Sequence, residues 1–321
     1  MFKYLLKRLL QMVVTLFIVS ILVFLLANFI GDPVNMLVSE KASEEVRQQI
    51  REQLGLNKPI LEQYFNFLSG AIRGDFGKSY IYKQDVLSLI LERAPATLEL
   101  VFVSVIMTIA LAIPLGVYAG AFPKRKSSAL IMGGSILGIS LPSFFVGMMM
   151  IFIFSLGLRW FPSSGRGPTA TVMGMKFSFF VKGGLKYIIL PAFTLALTNI
   201  ASMVRLTRAG VMENMRQDYI KFARAKGVSM RKVLFGHALK NALIPVVTVF
   251  GMEIGSLIAF TTVTETIYSW PGLGKLLIDS INAVDRPVIV AYLILTTVLF
   301  VFINFVVDLL YTLIDPRIDF R

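Results

Sequence analysis

Few side chains in this 321-residue sequence are equipped for chemistry, and their spacing is wrong for most of it. The single histidine, His237, has no serine and acid arranged around it as a nucleophile would need. With no cysteine in the chain, thiolate sites and disulfides are excluded, and one histidine cannot make a His-based metal cluster. A phosphate-cradling loop requires GxxxxGK followed by Ser or Thr. Gly77, Lys78 and Ser79 supply the end of that pattern, but its first glycine would fall on Ile72; Gly274 and Lys275 fail at both ends, on Ser269 and Leu276. What remains is a set of carboxylates in apolar stretches (Glu99, Glu253, Glu265, Asp308) and one crowded basic segment, DYIKFARAKGVSMRKVLFGHALKNALIPVV, from Asp218 to Val247.

The elements that must position these groups are membrane helices. The chain is 56% hydrophobic and 16% charged, with a mean hydropathy of +0.74, too apolar for a soluble domain of this length. The net charge of +13 does not indicate nucleic acid, because the basic residues gather in short connections between apolar runs, the footprint of cytoplasmic membrane loops. Six runs have the length of a span: Leu9 to Ile30, Thr97 to Phe122, Ala129 to Leu158, Tyr187 to Val204, Ala242 to Thr264 and Val288 to Ile314. The first is flanked by Lys3, Lys7 and Arg8 like a signal peptide, but it is too long for that and no A-x-A site follows, so it reads as a retained helix. Six spans place both termini on one side. The dense positive charge of the N-terminus, of Lys124, Arg125 and Lys126, of the basic segment and of the tail DPRIDFR makes that side cytoplasmic.

The organisation that follows is an N-terminal end and first helix (1–30), an outer loop with amphipathic helices (31–96), a five-helix core (97–314) containing the long cytoplasmic connection 207–241, and a tail (315–321). The stretch from Gly157 to Lys186 fits its outer assignment poorly, carrying Arg159, Arg166, Lys176, Lys182 and Lys186 with no acid. In the outer loop, Ser43 is placed to cap a helix bearing Val46, Ile50 and Leu54 and stopped by Gly55. After Pro59, the residues Ile60, Leu61, Tyr64, Phe65, Phe67 and Leu68 make a second apolar face for the bilayer or for the spans. Gly116 and Gly120, with Gly133, Gly134 and Gly138, are suited to close helix crossings, and Pro114, Pro142, Pro191 and Pro245 mark breaks.

Within the basic segment, Tyr219, Phe222, Ala223 and Lys226 recur at three and four residues, Gly227 ends the pattern, and Met230 to Leu239 begins another helix. A short helix beneath the membrane with aromatic and small residues on one side can dock into a groove on a soluble partner. The spacing of Lys221, Phe222, Ala223 and Gly227 resembles the EAAxxxG loop of ABC importer permeases, departing from it at the first two positions. ARAKG followed by HALKNALIPVV is similar to the form found in the peptide and nickel importer subfamily. Further blocks resemble that subfamily in order: LGLNKPILEQYFNFLSGAIRGDFGKSY, RAPATLEL, GISLPSFFVG, the run from Ile189 to Arg208, ETIYSWPGLGKLL and VVDLLYTLIDPRI.

The resemblance implies an all-α polytopic protein of six transmembrane helices with the type I ABC importer permease fold, multi-pass in a bacterial or archaeal cytoplasmic membrane. It implies a second homologous permease, two cytoplasmic ATPases that hold the ATP and Mg, and an extracytoplasmic binding protein that delivers di- or oligopeptides. The chain itself would be no enzyme and would bind no cofactor. Lys240, where the companion permease usually has proline, implies the first of the two permeases. The coupling residues it implies are Tyr219, Phe222, Ala223, Arg224, Ala225 and Gly227. Among the acids, Glu99 and Glu265 are expected near the outer boundary where solvation is cheap, Glu265 there as a candidate for the pathway or gate, and Asp308 in a pair with a neighbouring helix. Glu253 either lines the pathway, where it would attract a cationic group, or orients the fifth span. Trp270, Pro271, Gly272 and Gly274 make a rigid turn just outside the fifth span that serves as part of an outer gate or, through Trp270, as an interfacial anchor. The alternatives are the same architecture importing nickel chelates, glutathione or another small solute, a secondary transporter, and a membrane anchor or receptor without transport.

Overall fold

The computed structural model describes residues 2–29, 34, 38, 43–172 and 174–314. The tail 315–321 and Lys41 of the outer loop lie outside them, as do the side chains of Lys3 and Asp308. Among the described residues the regular structure is helical apart from one hairpin, β1 (Ala170–Val172) paired antiparallel with β2 (Met175–Phe177), and an isolated bridge between Lys78 and Asp85. The helices are α1 (Phe2–Phe29), α2 (Glu44–Gln53), α3 (Ile60–Ile72), α4 (Val86–Ala121), α5 (Lys126–Ser140), α6 (Ser143–Met150), α7 (Leu185–Asn214), α8 (Asp218–Ala225), α9 (Met230–Lys232), α10 (Leu239–Ile267), α11 (Leu273–Asn282) and α12 (Arg286–Ile314). Two π-helical turns, Ile151–Gly157 and Val233–Ala238, extend α6 and α9.

Among the described residues five helices are long and apolar enough to cross a membrane: 6–26 in α1, 86–121, 185–214, 245–267 in α10 and 286–307 in α12. The expected third span is different. It consists of α5 and α6 (with its π turn), joined at Leu141 and Pro142 and bent by 110°, and only if this bent pair counts as one span are there six. The proline is the cause: its ring disfavours the helical region for the residue before it, and Leu141 is extended (φ −84°, ψ 130°). Pro191 and Pro245 lie inside α7 and α10 without ending them.

The chain divides into two compact units. In the unit formed by 1–95 and 271–302, Val86, Leu89 and Ile90 at the start of α4 pack with Leu273 and Leu276 of α11 and with Val288, Ala291 and Tyr292 of α12. α3 lies on α1: Tyr64 meets Phe24 edge-on at 5.4 Å, Phe67 stacks on it at 5.7 Å, and Ser20 shares a 2.8 Å hydrogen bond with the Tyr64 hydroxyl. Ser43 stands at the start of α2, but its side chain makes no capping hydrogen bond.

Five described helix ends share one device. After α2, α3, α8, α10 and α11 the residue two beyond the last helical position takes a left-handed φ, and two backbone N–H groups return to the last-turn carbonyls, as a Schellman cap requires. Gly55, Gly74 and Gly227 fill this position after α2, α3 and α8, where a side chain would be strained, and Gly55 and Gly227 were expected as stops. Ser269 and Val284 fill it after α10 and α11, and a β-branched residue at φ 55° is an outlier. The turn at Val284 sets Asp285 beneath the connection before α4. There its fully buried carboxylate accepts hydrogen bonds from the Ser79 hydroxyl and from the backbone N–H groups of Tyr80 (3.0 Å) and Ile81 (3.3 Å).

The second unit, 96–270 with 303–321, is built on close crossings. A Cβ on Gly116 would lie 2.6 Å from Thr207 Cβ and 2.9 Å from the Val204 carbonyl, and one on Gly120 would lie 2.9 Å from the Arg208 carbonyl, so this GxxxG pair is the seat of α7 on α4. Gly138 meets Ala201, and Gly251 faces Val307 at 2.4 Å, whereas a Cβ at Gly133 or Gly134 would have no neighbour within 4 Å among the described residues, so neither serves a crossing there. The core between the helices holds Ala196, Ile200, Met203 and Val204 of α7 with Ala112, Val246 and Phe250.

Asp285→Ala is expected to destabilise the protein by about 3 kcal/mol, the cost of leaving two backbone donors unpaired beneath the connection. Thermal unfolding of the purified protein in detergent measures this, and an unchanged melting temperature would remove Asp285 from the account of this unit.

Candidate functional site

The basic segment folds as a small pedestal within the second unit. α7 ends at Asn214, the chain turns, and α8 runs from Asp218 to Ala225. Ile220 is its anchor: fully buried, it packs with Val233 and Ala238 of the following π turn, with Met215, Ala223 and Val228 around them. Polar ties complete the seat. The Tyr219 hydroxyl donates to Asn214 Oδ1 (2.8 Å) and accepts from Asn241 Nδ2 (2.9 Å), so one ring joins the end of α7 to the start of α10. At the helix start Asp218 pairs with Lys221 at 2.8 Å, and that hydrogen bond and charge hold its carboxyl below the usual carboxylate range.

With Ile220 inward, the opposite side of α8 is presented outward. Phe222 is 62% exposed, Tyr219 40%, and Arg224, Ala225 and Lys226 are also exposed. Lys226 folds over the Phe222 ring, its Nζ 4.5 Å from the centroid. Of the six residues singled out in the segment, Ala223 alone is turned partly into the seat, and Gly227, with φ 79° and no atom near a built Cβ, is required by backbone conformation alone. His237 is exposed on the π turn. Sequence reading missed Ile220, whose apolar side chain one turn ahead of Arg224 was the available signal, and the polar ties of Asn214 and Asn241, which have no signal in a single sequence.

At the other end of the same helices the acids do not have the solvated positions expected of them. Glu99 and Glu265 are both buried, not exposed at a boundary. Glu99 Oε2 accepts from Arg166 Nε (3.0 Å) and Nη2 (2.7 Å), and Glu99 Oε1 accepts from the backbone N–H groups of Ser178 (2.6 Å) and Phe179 (2.8 Å). Arg166, 8% exposed, also donates to the Lys176 carbonyl and lies 5.9 Å over the Trp270 ring. The basic stretch that fitted its outer assignment poorly therefore contributes its arginine to an acid on α4. Glu265 accepts from Thr97 Oγ1 at 2.6 Å.

Trp270 is wholly buried, its indole N–H donating to the Ala96 carbonyl at 2.9 Å, which corrects the reading of it as an interfacial anchor. Pro271 is half-buried and Gly272 buried at the start of α11. Tyr268 ties this end together, sharing a hydrogen bond with Thr194 of α7 (2.9 Å), reaching the Gly147 carbonyl of α6 (3.3 Å) and accepting from the Gly165 N–H (2.8 Å). Glu253 stands apart from these networks. It sits mid-way along α10, half-buried, and its Oε2 is enclosed with no hydrogen-bond partner among the described residues.

Two family descriptions match the chain: "Binding-protein-dependent transport system inner membrane component" over residues 112–320, and the N-terminal region of such membrane components over residues 1–101. The chain is 41% identical over 267 residues to the oligopeptide transport system permease protein AppB of Bacillus subtilis, covering 83% of each. It is 39% identical over 281 residues to the di/tripeptide transport system permease protein DppB of Pseudomonas aeruginosa, covering 83% of this chain and 82% of that one. It is 38% identical over 268 residues to the glutathione transport system permease protein GsiC of Escherichia coli, covering 84% and 82%. Among solved structures, an inward-facing form of the MetNI methionine ABC transporter shares the fold at a TM-score of 0.55 and 17% identity, over 71% of this chain and 97% of that one.

The Glu99 to Arg166 pair gives a specific expectation. Arg166→Met leaves a buried carboxylate short of its cation and is expected to cost about 3 to 5 kcal/mol. Adding Glu99→Met is expected to recover only part of that, because the Ser178 and Phe179 N–H groups then lose their acceptor. A double-mutant cycle of unfolding free energies measures the difference, and full recovery would mean that the backbone donors contribute nothing.

Proposed function

The chain belongs to the binding-protein-dependent transport system inner membrane component family, and on that premise we propose how its parts serve transport. It is a permease subunit of an ATP-binding-cassette importer, a multi-pass membrane protein of type I importer fold. In the proposed assembly it is the first of two homologous permeases that together line a pathway, two cytoplasmic ATPases bind beneath them, and an extracytoplasmic binding protein delivers di- or oligopeptides. Both termini and α8 then face the cytoplasm. The peptide and di/tripeptide names of the AppB and DppB relatives support this substrate class, and the GsiC relative keeps glutathione as the second reading.

The observation that carries the proposal is the pedestal. An exposed Phe222 and Tyr219, ringed by Arg224 and Lys226, are held by a buried Ile220 against the π turn that leads into α10. A surface with an aromatic centre and a charged rim is the kind that a partner's groove takes. A displacement of the docked partner would pass through Ile220 and Tyr219 to the ends of α7 and α10, because those contacts are packed and hydrogen-bonded. Tyr219, Phe222, Ala223, Arg224, Ala225 and Gly227 are the coupling residues in this reading. Trp270, Pro271 and Gly272 hold the outer gate, with Glu265 as a buried support for its turn, not a group in the pathway.

Glu253 is proposed to line the pathway, where an enclosed carboxylate oxygen without a hydrogen-bond partner suits a passing cationic group such as a peptide amine. Glu253→Gln is expected to change the range of peptides imported, favouring those without a free amine, measured by competition uptake in cells; an unaltered range would return Glu253 to a helix-orienting role.

For the pedestal, Phe222→Ala and Gly227→Val are expected to leave the chain inserted and paired with the second permease while ATPase subunits are lost from a mild-detergent pull-down and uptake falls at least tenfold. Retention of the ATPases by both variants would sink the coupling assignment.

A further inference from the structure

α3 carries three distinct faces, and only two of them are accounted for. At 3.6 residues per turn, Tyr64, Phe67 and Ala71 fall on one side, the side that packs on α1. Glu62, Asn66, Ser69 and Arg73 fall on a polar side. Between them, about 100° around the helix from the packed side, runs a third row: Leu61, Phe65, Leu68 and Ile72. Leu61 is 73% exposed, Phe65 64% and Ile72 78%, with Leu68 half-buried. A row of four large apolar side chains over three turns is more than the scattered exposure that soluble surfaces tolerate.

The level of α3 relative to the bilayer can be read from its own unit. Val23 of α1 packs against Val290 of α12, with Phe67 of α3 and Val19 beside them. Val290 is one turn inside the start of α12 at Arg286, and the candidate span of α12 begins at that residue. The Val23 level is therefore close to where the candidate spans of α1 and α12 end, and Tyr64 and Phe67 seat α3 there. Towards its start α1 exposes Leu9, Leu10, Val13, Phe17 and Leu22, and the row on α3 adds to that apolar surface. Arg73 stands at its C-terminal end, where a long basic side chain can reach a phosphate while its stem covers apolar surface, and Lys58, ahead of its start, pairs with Glu62 of the polar side at 2.7 Å.

We propose that α3 is an interfacial helix embedded in the membrane surface, with Leu61, Phe65, Leu68 and Ile72 immersed at the acyl boundary and Glu62 and Asn66 in water. Its occupant is the phospholipid bilayer, not a second protein. Embedded in this way, α3 braces the end of α1 at a fixed depth through Tyr64 and Phe67.

Because the chain has no cysteine, single nitroxide labels can be placed on the full-length protein without removing any native residue. Leu61→Cys, Phe65→Cys, Ile72→Cys and, as controls, Glu62→Cys and Asn66→Cys would be labelled in the assembled complex in nanodiscs of phosphatidylcholine and phosphatidylglycerol. Collision with oxygen and with a water-soluble nickel chelate is then read by electron paramagnetic resonance. The expected result is an oxygen-to-nickel ratio several-fold higher at positions 61, 65 and 72 than at 62 and 66. Nickel-dominated collisions at all five would put the row in water, and low collision with both reagents at 61, 65 and 72 would put a protein over it; either overturns the proposal. The labelled positions are highly exposed, and co-purification of the partner subunits checks that each variant is assembled.

Discussion

In hydrocarbon a polypeptide has no water to complete its backbone hydrogen bonds, so it must complete them itself. The rest of this structure follows from how the chain meets that condition where helices run and where they stop. Along the spans the helical ladder does this, and Pro191 and Pro245, which lack an N–H, each remove one bond from it without ending the helix. At the ends the ladder runs out, and the chain uses one capping geometry after five of the described helices. Two of the five caps have no glycine. That exception is informative, because both deliver the backbone to a buried polar element: Val284 to the Asp285 carboxylate, Ser269 to Trp270 and the Ala96 carbonyl. The side chains accept an uncommon conformation there, and the hydrogen bonds that follow hold it in place.

The buried acids extend the same logic from backbone to side chain. A carboxylate in an apolar setting is costly unless its oxygens are filled. Glu99 is filled by a guanidinium and two backbone N–H groups, and Asp285 by a hydroxyl and two backbone N–H groups. In each case the donors come from a loop that has no regular ladder of its own, so one side chain completes the loop and the loop completes the side chain. The stretch 157–186, with five basic residues and no acid, thereby buries one of them: the counter-charge for Arg166 is supplied by Glu99 of α4. Glu253 lacks such a set, and packing among the described residues gives no reason for its enclosed oxygen.

The spans were legible in the sequence because their signal is local: about 20 apolar residues in a row need no knowledge of what they touch. Gly116 and Gly120 were legible for the same reason, since small residues one helical turn apart announce a close crossing. The bend of the third span was half legible. Pro142 announced a break, but its angle depends on how α5 and α6 each settle on α7, which no local pattern encodes. The acids were misread because their partners are remote, 67 residues away for Glu99 and 168 for Glu265, and a single sequence carries no record of such pairing. The pedestal was legible as a helix with a glycine stop, yet its orientation was not, because Ile220 and Phe222 are both apolar and only the π turn decides which one is buried.

That π turn bears on how the segment can work. In an α-helix leading directly into α10, Val233, Ala238 and Leu239 would be spaced by the ordinary ladder. The wider turn from Val233 to Ala238 instead lets Val233 and Ala238 close on Ile220, while Leu234 and Leu239 pack with Val117, Val211 and Ala242. The same short stretch thus belongs to two cores, one holding α8 and one holding α4, α7 and α10. A rigid body seated on both can be pushed from the α8 side and move the helix ends without first melting either core. A flexible linker at this position would absorb the displacement, so the coupling reading requires the double packing of the π turn as much as it requires the exposed ring of Phe222.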